Sequence, residues 1–305
     1  MSDLKLFRLH DGAVTQLDAR FVALEKFLQT IMERNLDALL GVRFLASEYS
    51  TGHRHGGRID TLGIDENGCP VIIEYKRSLN ENVISQGLYY LDWLLDHKAD
   101  FQLRVTEKLG AAAAQEIDWS SCRLLCIAGS FTKYDQHAVE QISRNIELIR
   151  YTRYGDDLLL LDLVNTTVES QTETPQADGS SRARRSSGGS APVEQVLAGL
   201  DGDLRDLYEA LKDFLVALGD DVRLKQTKLY VAFRRLKNFA CVRPTGNHLV
   251  VWTKVDPDAE PLVAGFTRDV RQVGHYGTGD LEITIGSRDD LELAKKLLIR
   301  SYEAN

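Results

Sequence analysis

The sequence predicts an α/β protein in two parts: a mixed sheet flanked by helices, then a second, smaller α+β domain beyond a flexible linker. Three observations carry this reading. The chain has 305 residues, more than the usual single domain of about 100 to 150. Residues 165–192 are rich in Ser, Thr, Gly and Pro without an apolar period, a composition that buries too little surface to order itself. On either side, short β-branched runs alternate with helix-period segments. The expected units are therefore 1–164 and 193–305, joined by 165–192.

Taken in order, Leu4 to Leu9 and Ala13 to Leu17 flank Asp11-Gly12, a hairpin signal. From Arg20 to Leu40 the apolar residues Phe21, Leu24, Phe27, Leu28 and Ile31 recur with the helical period. Strands are expected at 42–49, 58–64 and 71–76, with helices at 81–95 and 105–115. A strand at 123–128, a helix near 135–146 and strands at 147–151 and 158–164 complete the first unit. The second unit opens with a helix from Val193 to Leu218, bent near Gly199 to Gly202. Strands at 228–236, 239–243, 248–255 and 281–285 follow, and Ser287 with Asp290 predicts a capping box for a closing helix.

Composition excludes several classes. The chain is 43% hydrophobic and 27% charged, with no run of about 18 apolar residues to cross a bilayer, so no membrane partner is expected. The N-terminal MSDLKLFRLHDG lacks the apolar core of a secretory signal, and a cytoplasmic location is the expectation. Cys69, Cys122, Cys126 and Cys241 form no CxxC pair, which argues against a disulfide framework or structural zinc. The net charge of −8 opposes indiscriminate polyanion binding but does not exclude a local patch.

The chemistry concentrates in GGRIDTLGIDENGCPVIIEYKRS, residues 56–78. Two strands flank a turn centred on Asn67, so Asp60 falls opposite Glu74 with Cβ atoms about 5 Å apart. Alternation puts Glu74 and Lys76 on one face. Two such carboxylates repel unless one is protonated or a cation lies between them, and all-oxygen ligation is what Mg²⁺ or Mn²⁺ prefers. The Tyr75 carbonyl is a further candidate ligand, and Lys76 is placed to orient a water or stabilise charge on an attacked phosphate. A salt bridge of the acids with Lys76 or Arg58 is the structural alternative.

Asp60 followed by Glu74-Tyr75-Lys76 resembles the D…(D/E)XK signature of the PD-(D/E)XK, or restriction-endonuclease-like, nuclease superfamily. Glu25 on the first predicted helix, the GRID box with Arg58, and Gln86 with Tyr90 as a QxxxY motif resemble its NucS-type and RecB-type branch. Ile59 stands where the superfamily's name has Pro. The resemblance implies a restriction-endonuclease-like core and a Mg²⁺- or Mn²⁺-dependent endonuclease acting on nucleic acid, DNA favoured. It implies catalytic roles for Asp60, Glu74, Lys76, Glu25 and Gln86, with metal held by Asp60, Glu74 and Tyr75. Glu48, on the strand before GRID, rivals Glu25 as the extra acid. Residues 193–305 resemble a bacterial domain of unknown function.

Phosphate contacts are expected from Arg54, Arg58 and Tyr90 at the mouth of the site, with His53 and His55 nearby. In the second unit, Arg223 to Arg243 carries seven basic residues and no acidic one; Lys228, Arg234, Arg235 and Lys237 are its candidate nucleic-acid contacts. A solvated sheet face explains the same run equally well. Two other functions stay open: a non-catalytic nucleic-acid-binding module, and a protein-interaction or regulatory component. A homodimer would let two pockets act on two strands.

Overall fold

The computed structural model describes residues 4–20, 25–76, 83–166, 191–200 and 202–305. The chain separates into two compact units, Met1–Glu173 and Thr174–Asn305, each treated by itself. Most of the expected linker, residues 167–190, lies outside the described residues.

The first unit begins with a two-stranded hairpin, β1 (Leu6–His10) and β2 (Ala13–Leu17), turning at Asp11-Gly12. After β3 (Ala19–Arg20), the expected helix over 20–40 is two helices, α1 (Glu25–Arg34) and α2 (Leu36–Leu40). They separate at Asn35, whose side chain donates to the Ile31 carbonyl at 2.9 Å, the local competition with backbone bonding expected of Asn. Then come β4 (Val42–Ser50), the short α3 (Gly52–His55), β5 (Arg58–Asp65), β6 (Pro70–Lys76) and α4 (Val83–Asp96). The helix expected at 105–115 is also two, α5 (Lys98–Leu109) and α6 (Ala111–Gln115), parted by Gly110 at φ 93°, ψ 165°, a conformation that glycine tolerates. β7 (Arg123–Ala128), α7 (Lys133–Glu140), β8 (Asn145–Tyr154) and β9 (Leu158–Thr166) finish the unit. Here α7 starts earlier than expected because Thr132 and Asp135 form a reciprocal capping box, and it stops before β8 claims residues 145–154.

The sheet runs β3-β8-β7-β6-β5-β4, with β9 also paired to β8. Only β6–β7 and β7–β8 are parallel; the other pairs are antiparallel. Parallel neighbours need long crossovers, supplied by α4 to α6 and by α7. Helices cover both faces: α4 packs Gly87 onto Leu124 of β7, and α1 receives a hydrogen bond from Thr61 of β5 at Glu33. The mixed, helix-flanked α/β sheet is the architecture the sequence predicts.

The second unit pairs α8 (Val193–Ala198), α9 (Gly202–Val216) and α10 (Arg288–Glu303) with an antiparallel sheet. Its strands are β10 (Arg223–Gln226), β11 (Val231–Arg234), β12 (Asn238–Thr245), β13 (His248–Thr253), β14 (Thr267–Asp269) and β15 (Leu281–Ile285). Their order is β10-β11-β12-β13-β15-β14. The edge strands β10 and β14 are too short to show a period and were not legible. The strand expected over 228–236 shrinks to β11 because Thr227 Oγ1 accepts from the Leu229 and Tyr230 amides and bends the chain there. Ser287 caps α10 by accepting from the Asp290 amide, but Asp290 Oδ2 accepts from Gly286 instead of closing the predicted box. All four cysteines are buried, and none is in a disulfide.

Candidate active site

The hairpin β5–β6 keeps the expected register, from Ile64↔Pro70 to Thr61↔Ile73. Its turn is fixed by Asp65, whose Oδ1 accepts from the Asn67 and Cys69 amides at 2.9 Å each. One pair beyond Thr61↔Ile73 the ladder opens, and carboxylates replace carbonyls as acceptors. The Tyr75 amide donates to Asp60 Oδ2 at 3.0 Å, and the Asp60 amide donates to Glu74 Oε1 at 3.2 Å. The two acids therefore sit in a gap between strands and are not a simple ladder pair.

Glu74 is fully buried, and its Oε2 has no hydrogen-bond partner among the described residues. Burial, and next the charge of Asp60, push its carboxyl up to about 9; the nearby Lys76 charge pulls the other way. A buried carboxylate with one bare oxygen is costly unless something neutralises it. Lys76 ends β6 half-buried. The Tyr75 ring is buried, and its hydroxyl lies 3.4 Å from Thr61 Oγ1.

Beside the acids is a cavity of about 340 Å³ lined by Glu48, Gly56, Gly57, Arg58, Asp60, Gln86 and Tyr90. Gln86 and Tyr90, one turn apart on α4, meet: Gln86 Nε2 donates to the Tyr90 hydroxyl at 3.2 Å, and that hydroxyl also accepts from the Arg58 amide at 3.2 Å. Tyr90 is buried, so it holds the first residue of β5 in place and presents little ring to a ligand. Gly57 is required here, because a Cβ would lie 2.5 Å from the Tyr90 ring.

Sequence reasoning missed the support behind Asp60. Gln29 of α1 is buried and donates to the Asp60 carbonyl at 2.8 Å, to Ser47 Oγ at 3.2 Å and to Glu33 at 3.0 Å. Thr61 donates to the same Glu33 oxygen at 2.7 Å. A polar pair spaced one turn apart on an amphipathic helix was the available signal. Glu25 is the first residue of α1, and its side chain, like that of Arg54, lies outside the described residues. Arg58 is exposed and directs Nε to Glu48 at 3.3 Å, the carboxylate that Lys26 also reaches at 3.0 Å. His53 is exposed, while His55 packs 5.6 Å from Tyr89 and 5.7 Å from His97, ring centre to ring centre.

The donor set suits a hard divalent cation. Asp60 and Glu74 supply carboxylate oxygens, one of them buried and unpartnered, and Tyr75 supplies backbone at the opening. Glu48's two oxygens are engaged by Lys26 and Arg58, and no group of three His, Cys, Asp or Glu already poised for a metal occurs among the described residues.

The basic run of the second unit does not form one exposed stripe. Arg234 is buried and donates to the Leu236 carbonyl at 3.2 Å. Arg235 binds Asp221 at 2.7 Å and lies 4.6 Å above the Tyr302 ring. Arg243 is buried against the Ala191 and Leu229 carbonyls. Lys228 is exposed and Lys237 half-buried. These cations are largely spent on the fold of their own unit.

No helix among the described residues is long and apolar enough to cross a membrane. Residues 193–305 match the model of a domain of unknown function, DUF5655. Among solved structures, a repair endonuclease from Pyrococcus abyssi aligns with 43% of this chain and 48% of its own, at 20% identity and a TM-score of 0.29. EndoMS in its dsDNA2 complex aligns with 44% of this chain and 48% of its own, at 20% identity and a TM-score of 0.26. The chain thus spans about half the length of these structures. An uncharacterized protein of Haemophilus influenzae is 31% identical over 300 residues, covering 97% of this chain and 98% of that protein. That match runs through both units, and the chain belongs to the same family as the Haemophilus influenzae protein.

Proposed function

We propose that the first unit is a metal-dependent nuclease that hydrolyses phosphodiester bonds in nucleic acid, with DNA the favoured substrate. The observation that carries this reading is the bare, buried Glu74 oxygen beside Asp60, at a gap where two strands part. A structural ion pair would have spent that oxygen on a cation of the protein.

Asp60 and Glu74 would hold Mg²⁺ or Mn²⁺, with the Tyr75 carbonyl as a further oxygen; the ion would polarise the phosphate and lower the pKa of a water. Lys76 orients the attacking water and offsets charge gathering on the phosphate. Gln86 and Tyr90 hold the entrance of β5, and the exposed Arg58 meets the backbone of the substrate. Lys228, the exposed member of the second unit's basic run, would supply an auxiliary contact.

The test is a panel of labelled single-stranded, duplex and branched DNA and RNA, incubated with Mg²⁺, Mn²⁺ or EDTA. Metal-dependent products are expected, and Glu74→Ala and Lys76→Ala should each reduce their rate by about 100-fold or more. An intact panel with salt-sensitive binding would replace the nuclease with a recognition module.

A further inference from the structure

The loop between β4 and β5 serves two cavities. Thr51 and Gly57 close it: the Thr51 amide donates to the Gly57 carbonyl at 3.0 Å, and the Gly57 amide donates to Thr51 Oγ1 at 2.9 Å. Gly56 and Gly57, at its end, line the cavity of the acids. Thr51, Gly52, His53 and His55 line another, of about 480 Å³, which Asp96 and His97 complete from the end of α4. Three imidazoles therefore border one space. His97 is half-buried and stacks on Trp93, 4.6 Å between ring centres, with Nδ1 2.8 Å from the Trp93 carbonyl. A carbonyl only accepts, so Nδ1 carries the proton, and Nε2 of the neutral ring is an acceptor that donates only after the ring is charged. His55 stands edge-on to His97, and the Tyr89 hydroxyl fixes it by donating to its carbonyl at 3.0 Å. Asp96 brings an exposed carboxylate. Lys98, next in the chain, holds its ammonium 5.4 Å from the centre of the Trp119 ring, and the Arg54 side chain lies outside the described residues.

We propose that the cavity of His53, His55 and His97 seats a second, uncut phosphate of the nucleic-acid substrate, taken up together with protons on these rings. This rests on the nuclease reading of the first unit. With its imidazoles neutral, the lining residues carry only the Asp96 charge, which repels an anion; protons on two of the three rings reverse that sign. Each charged ring then offers the phosphate a charge-assisted hydrogen bond. Because residues 51–57 form one closed loop, a strand that reaches the acids from one side of it meets the histidines on the other.

The test is binding of fluorescently labelled single-stranded and duplex DNA and RNA to the full chain in EDTA, at constant ionic strength, near pH 6 and near pH 8. Circular dichroism at both pH values checks folding. The native chain should bind its preferred probe about tenfold more tightly near pH 6. His97→Gln and the exposed His53→Gln should each lose most of that gain and lower the salt slope near pH 6 by about one. His137→Gln, on an exposed ring of α7, should keep the gain. Asp96→Asn should tighten binding near pH 8, the opposite sign, because the repelling charge is gone. If His97→Gln and His53→Gln both keep the native difference between the two pH values, the cavity is no phosphate seat, while metal-dependent cleavage through Asp60 and Glu74 stands on its own assay. If the native chain binds none of the probes at either pH, the nuclease reading falls and takes this proposal with it.

Discussion

Two aspartates five residues apart on β5 meet opposite fates. At one end, Asp65 is closed: Oδ1 caps the turn, and Oδ2 takes Arg123 Nη1 at 3.0 Å. Arg123 is itself buried and grips Glu147 with Nε at 2.8 Å and Nη2 at 3.0 Å, and the two carboxylates hold its guanidinium still more firmly charged. At the other end, Asp60 shares its gap with Glu74, and an oxygen there is left bare. The same residue types thus form a finished ionic triad around the buried Asp65 and, around the half-buried Asp60, a pair with one oxygen of Glu74 left bare. Burial of an acid alone does not point to function; burial without a matched cation is what makes the Asp60–Glu74 end the candidate.

Breaking the closed end should have the largest effect. Arg123→Met leaves two buried carboxylates without their cation and is expected to cost about 3–5 kcal/mol, read from urea unfolding. A loss below about 1 kcal/mol would mean that water or relaxation compensates the triad and that the contrast is overstated.

Relieving the open end should have the opposite sign. With a folded value of about 9 against 4.5 unfolded, Glu74 contributes stability that is fully present below about pH 4.5 and is lost as pH rises towards 9. Glu74→Gln removes that dependence and should leave the metal-free protein about 2–3 kcal/mol more stable near pH 8. Urea melts at about pH 5 and about pH 8 measure it; the same change in unfolding free energy between the two pH values in both proteins would show that Glu74 is not held neutral.

The smallest effect lies at the edge of the open end. Tyr90→Phe deprives the Arg58 amide and Gln86 of their acceptor and should cost about 1 kcal/mol. A thermal melt indistinguishable from native would show that the hydroxyl does not hold β5.

Much of the open end was legible in sequence, because alternation and one turn fix which residues a hairpin brings together. Asp60 and Glu74 follow from counting about Asn67, and Gln86 and Tyr90 from a helical turn. The opening of the ladder beyond Thr61↔Ile73 was not legible, since local pattern says nothing about where two strands part. The closed end was hidden for a different reason: Arg123 reaches Asp65, and Glu147 reaches Arg123, from strands distant in sequence, and nothing local ties them. Breaks at Asn35 and Gly110 were missed where single residues override a helical period. Nor was the place of Arg235 within the basic run legible: it is taken up by Asp221, 14 residues before it, and by the Tyr302 ring near the end of the chain, and no local pattern announces either.

The separation in sequence also orders events in time. Asp60 meets Glu74 across 14 residues, whereas Arg123 reaches Asp65 across 58. Short loops close sooner and at lower entropic cost. During folding the hairpin is therefore expected to bring its acids together first, with Arg123 arriving once the crossover has delivered β7 to the sheet. Until then the nascent hairpin carries Asp60, Asp65 and Glu74 without a buried guanidinium, and the late step that seats Arg123 is the one expected to be slowed by screening salt.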